Sequence, residues 1–89
     1  MDHTKIWHVD VYIGEHDGRT HAEARLRPSD AVSLTAKGEA RLNPKDADVP
    51  EIGDELAVAR ALADLSHRLL DSAADDIEGA THKPVHLTS

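Results

Sequence analysis

The sequence predicts an α+β fold, a three-stranded antiparallel meander covered by one long amphipathic helix. Three observations carry that expectation. Three successive segments alternate apolar and polar residues with a period of two. Short turn-forming stretches separate them, and a later segment of more than twenty residues changes to helical spacing. At 89 residues the whole chain, 1–89, reads as a single domain.

The first strand is expected over about 6–15. Trp7, Val9, Val11 and Ile13 fall on one face, and His8, Asp10 and Tyr12 on the other. Asp17-Gly18 supplies the hairpin signal, because glycine enters positive φ without a Cβ clash. The second strand, about 19–27, turns Thr20, Ala22, Ala24 and Leu26 inward and His21, Glu23, Arg25 and Arg27 outward. Pro28-Ser29-Asp30 breaks it. The third, about 33–42, places Leu34, Ala36, Gly38, Ala40 and Leu42 inward, with Lys37, Glu39 and Arg41 outward. Alanine and glycine dominate the inner faces of the second and third strands, so a helix can lie close to them.

The helix is expected over about 50–73. Asp48 and Glu51 have the spacing of a capping box, and Pro50 suits a first turn. One stripe comprises Val58, Leu62, Leu65 and Leu69; an adjacent one comprises Leu56, Ala59, Ala63 and Leu70. Together they cover more of the circumference than one flat contact requires. A short second helix is expected over about 74–79, closed by Gly79, followed by an extended tail over 80–89 around Pro84. The expected core is Trp7, Val9, Val11, Leu26, Leu34, Leu56, Leu62, Leu65 and Leu69. With one Trp, one Tyr and no Phe, it is built of small aliphatic residues and is thin. A homodimer would relieve both the thin core and the wide apolar arc, with Val85 and Leu87 as tail residues to help it.

Absence of cysteine from so small a chain favours a reducing cytoplasm over secretion. No apolar run reaches the roughly 18 residues of a membrane-spanning helix. The net charge of −7 is unevenly spread. From Asp17 to Lys45 six basic residues stand against four acidic ones, a net +2; from Asp46 to Ala80 ten acidic residues stand against Arg60 and Arg68, a net −8. The bland reading is a repulsive surface that keeps the chain soluble. The sharper one is a polarised molecule offering an anionic partner the outer face of the sheet, with Arg25, Arg27, Lys37 and Arg41 as RNA-contact candidates. Glu23 and Glu39 in the same rows also permit simple cross-strand ion pairs.

Chemistry finds little foothold. There is no nucleophile elbow and no phosphate-binding glycine loop. The seven histidines lack metal-ligand spacing: His82 and His86 are separated by Pro84, which forbids the regular helix that would align them. No enzyme activity, cofactor, metal or small-molecule substrate is expected.

Arg41-Leu42-Asn43-Pro44, Val49-Pro50-Glu51-Ile52-Gly53-Asp54-Glu55-Leu56, Ala59-Arg60-Ala61-Leu62, Asp76-Ile77-Glu78 and Thr81-His82-Lys83-Pro84 occur in this order. In this respect the chain resembles the actinobacterial dsRBD-like domain of unknown function. The resemblance implies a β-β-β-α core, often dimeric, with no assigned catalytic residues. It also implies a link to dormancy, since one member of that family resembles ribosome hibernation factors. Two functions are therefore expected. The first is a non-catalytic stress- or dormancy-associated protein that meets the ribosome or another RNA–protein complex. The alternative is a homodimeric protein–protein adaptor without RNA contact.

Overall fold

The structure, a computed structural model, describes residues 3–27, 34–41 and 50–87. The element order is β1 (His8–His16), β2 (Arg19–Arg27), β3 (Leu34–Arg41) and α1 (Pro50–Thr81), with strand order β1-β2-β3 and both pairings antiparallel. The expected α+β meander is the observed fold. Positions 33 and 42 of the third strand, Asp48 of the cap, and tail positions 88 and 89 lie outside the described residues.

A two-residue turn joins β1 to β2. Asp17 and Gly18 both have positive φ, 52° and 72°. That pairing defines the type I′ turn, whose twist matches the strands it joins. The turn fixes the register: Val9 faces Leu26, Val11 faces Ala24 and Ile13 faces Ala22. β1 starts two residues later than expected. The described ladder ends at the His8–Arg27 pair.

The helix packs on β2 and β3, and small residues decide how. Ala22, Ala24, Ala36 and Ala40 form the floor, and Ala57, Ala61 and Leu65 press onto it, all buried together with Leu26. At Gly38 the approach is so close that a Cβ would collide with the Ala57 carbonyl oxygen and the Ala61 nitrogen, both backbone. At Gly53 a Cβ would come within 2.8 Å of Thr20 Oγ1.

This close seating corrects part of the expected core. Leu26 and Leu65 are buried, and Val11, Leu34 and Leu69 pack against the core. Leu62 and Leu56 are exposed, at 43% and 45%. Over Gly38 only alanine-sized side chains fit between the helix and the strands, so the contact ridge runs Ala57-Ala61-Leu65 and Leu56 and Leu62 are left on the flanks. Trp7 and Val9 are also exposed, at 52% and 41%, because the helix crosses β2 and β3 and leaves the inner face of β1 largely uncovered.

A second correction concerns the helix end. The short second helix is the continuation of α1, which runs unbroken to Thr81. Gly79 does not stop it, since one glycine costs only about 1 kcal/mol. The stop is His82, in the left-handed region at φ 59°, whose N–H donates to the Glu78 carbonyl at 2.7 Å. The tail then folds back: Val85 N–H donates to Glu78 Oε1 at 2.8 Å, leaving Val85 and Leu87 half-buried. At about 1.5 Å per residue the 32-residue helix is about 48 Å long, close to the 52 Å long axis of the molecule. No described residue after Leu65 is buried, so the last turns extend past the sheet.

Candidate functional site

Two surfaces carry the candidate residues. The first is the outer face of the sheet. Arg25, Arg27, Lys37 and Arg41 all lie there, exposed, as the strand alternation requires. They do not form one row of free cations. Arg25 Nε donates to Glu23 Oε2 at 2.6 Å, and that hydrogen bond, with the charge of Glu23, raises the guanidinium pKa above its ordinary value. The same guanidinium lies over the Tyr12 ring, 4.5 Å from its centre. Arg27 pairs with Asp10 across the β1–β2 ladder. Among the described residues Lys37 and Arg41 meet no carboxylate. Arg41 stands opposite Arg19, a cation that the strand pattern alone did not single out, and Arg19 approaches Glu39 at 3.6 Å. The β2–β3 register would have found it.

The histidines do not converge. His16 Nε2 lies 3.1 Å from Asp17, and His21 Nδ1 lies 3.9 Å from Glu39. Among the described residues no three His, Cys, Asp or Glu side chains are placed to hold a metal ion. No helix among them is long and apolar enough to cross a membrane.

The second surface is the inner face of β1 with the adjoining flank of α1. Arg60 and Asp64 reach the outer edge of β3: Arg60 donates to the Glu39 carbonyl at 2.7 Å, and Lys37 N–H donates to Asp64 Oδ2 at 3.2 Å. Arg68 also donates to Asp64, at 3.0 Å. These two bonds, Arg68 first, hold the Asp64 carboxyl below its ordinary pKa. With the polar side of the helix committed to β3, the opposite flank, carrying Val58, Leu62 and Leu69, overhangs β1. A shallow apolar groove lined by Leu62, Leu65, Ser66, Leu69, Leu70 and Ala73 runs along this flank. On the inner face of β1, Val9 and Ile13 are exposed at 41% and 49%. Ile52 and Leu56 are exposed as well and face away from the sheet.

The two edges of the sheet differ in the same way. In a two-residue hairpin the residues flanking the turn, here His16 and Arg19, form a hydrogen-bonded pair. Alternation along the ladder then turns the N–H and C=O of Gly14, Tyr12, Asp10 and His8 toward β2. Those of Val9, Val11, Ile13 and Glu15 point to the open edge. The bonds at β3 agree independently. Lys37 and Glu39 point away from β2, so their partners Glu23 and His21 point toward β1, where Tyr12 and Gly14 meet them.

Comparison with known proteins places this architecture. The protein MT1780 of Mycobacterium tuberculosis is 56% identical over 81 residues, covering 91% of this chain and 85% of that one. Rv2632c of Mycobacterium tuberculosis is 49% identical over 81 residues, 91% of this chain and 86% of that one. The crystal structure of Rv2632c superposes with a TM-score of 0.83 at 47% identity, covering 93% of this chain and 98% of that one. The Rv2632c-like family model matches residues 5–86, from just ahead of β1 to the tail folded on the helix end, and the chain belongs to that family.

Proposed function

We propose that this protein works without catalysis, in the cytoplasm, as a self-associating protein–protein adaptor whose working surface is the uncovered inner face of β1 and the overhanging flank of α1. One observation carries the reading: Trp7, Val9, Ile13 and Leu62 are each between 41% and 52% exposed on a chain with few large apolar residues to spare. Contiguous apolar surface on a small protein marks a place where another surface sits. The test is sedimentation equilibrium over a concentration series, with Val9→Glu as the variant. A dimer in the parent and a folded monomer in Val9→Glu support the reading. A parent that stays monomeric to the highest concentration overturns it.

A second reading has its own support. Arg25 stacked on Tyr12, with Lys37 and Arg41 on the same face, is a small cationic and aromatic surface of the kind that contacts RNA. On this reading the protein is a dsRBD-like stress or dormancy factor on the ribosome or another RNA–protein complex. Ribosome co-sedimentation across a salt series tests it. Arg41→Glu and Arg25→Glu should each weaken binding and flatten its salt dependence by about one unit per lost phosphate contact. Variants that sediment like the parent leave the adaptor reading standing alone.

A further inference from the structure

We infer that two copies join through their β1 edges, antiparallel, with Val11 facing Val11 of the second copy on a two-fold axis, so that the two sheets become one of six strands. This rests on the self-association proposed above and assigns its geometry.

Hydrogen bonding restricts the choices first. The residues whose N–H and C=O point to the open edge are Val9, Val11, Ile13 and Glu15. A two-fold pairing must set members of this group opposite one another, and this also keeps the inner faces of both sheets on the same side. Five registers remain in which at least two of them meet, and one of these, centred on Gly14, sets Ile13 against Glu15. Centring on Asp10 sets two aspartates directly opposite each other, which like charge disfavours. Centring on Tyr12 sets Val9 against Glu15, and centring on Ile13 sets Val11 against Glu15. Centring on Val11 sets Val11 against itself and Val9 against Ile13, twice by symmetry. All three inward apolar residues of each strand then find apolar partners, and no like charges face each other.

Two further features fit. Ile6 and Trp7, exposed at 68% and 52%, run ahead of β1. In the Val11 register they come opposite His16 and Glu15 of the second copy, extending contact over residues 6–16. About eleven residues a side is below the roughly 20–30 of a standard interface, so the dimer should be concentration-dependent. The far edge, β3, is occupied by Arg60 and Asp64. Pairing therefore stops at two copies: the joined sheet ends in a covered strand on each side and cannot extend into a fibre.

The sequence contains no cysteine, which makes the test direct. Single cysteines at Asp10, Val11 and Tyr12 are oxidised mildly at concentrations where sedimentation shows dimer. Val11→Cys should link most completely, because hydrogen-bonded antiparallel partners have Cα atoms about 5.5 Å apart, within disulfide range. Separately, Val9→Lys should weaken the dimer by at least about tenfold, and adding Ile13→Glu to the same chain should recover most of the loss, since each substituted residue meets the other across the axis. Circular dichroism confirms the fold of each variant. If the parent is a dimer but Asp10→Cys or Tyr12→Cys links best, the register is wrong and self-association stands. A dimer in which none of the three links overturns the Val11 register and leaves self-association standing. A parent that is monomeric throughout overturns both this assignment and the adaptor reading.

Discussion

The two edges of this sheet are made of similar strands and have opposite fates. At β3 the helix lies so close, over Gly38, that Arg60 and Asp64 reach the strand and bond its outward-pointing backbone. At β1, two strands away, the same helix offers only an overhanging leucine flank, and no described residue bonds the backbone of Val9, Val11 and Ile13 at the edge. An unpaired edge is a template for another strand unless something blocks it. One helix thus protects one edge by leaving the other open, and which edge it protects is decided by where the small residues lie.

The largest disturbance to that difference should come at Gly38. In Gly38→Val the new side chain meets helix backbone, which cannot rotate away. A loss of about 3 kcal/mol or more is expected, read by denaturant melts, with helix content falling as α1 leaves β3. Next in size are two leucines three residues apart. Leu65→Ala should cost about 2–4 kcal/mol because Leu65 is buried at the contact ridge, whereas Leu62→Ala should cost less than about 1 kcal/mol in the monomer. Similar losses from both would mean that the helix is rotated toward β1 and that the edges are less different than described.

Smaller still is the effect of stripping the guard from β3. Arg60→Ala with Asp64→Asn should change monomer stability little, since these are surface contacts. It should nonetheless produce species larger than a dimer on size-exclusion chromatography, by exposing a second edge. Last is pH. The folded-state pKa of Asp64 is lowered by Arg68 and by the Lys37 amide. Its contribution is therefore fully present above the ordinary aspartate range and is lost as pH falls through the lowered value. Asp64→Asn should differ from the parent at neutral pH and converge with it in acid melts.

Much of this was legible in the amino-acid order. Alternation from Val9 to Ile13 and from Thr20 to Leu26 gave the strands and their faces, and Ala22, Ala24, Ala36 and Gly38 announced a close helix. What did not follow was which part of the helix would make that contact. Leucines dominate any reading of hydrophobic spacing, so Leu62 stood for the core; yet against a floor of alanines the fitting residues are Ala57 and Ala61. The candidate cations were legible as a face, but their partners were not. Arg27 with Asp10 and Arg19 beside Arg41 depend on register. The Asp17-Gly18 turn contains the first of these registers, because a two-residue loop fixes every pair of the hairpin by counting back from it. The continuation of the helix past Gly79 was hidden by that glycine, whose presence suggests a stop that His82 in fact provides.

The helix itself has an uneven attachment. Its first five turns are held down by the strands, while from about Leu70 to Thr81 it rests on its own hydrogen bonds, the His82 cap and the returning tail. Amide protons in the first part should exchange with solvent only when the whole domain opens. Those in the last three turns should exchange through local fraying, orders of magnitude sooner. A single unbroken helix would then report two distinct opening energies, with the step between them near Leu69, where the sheet beneath it ends.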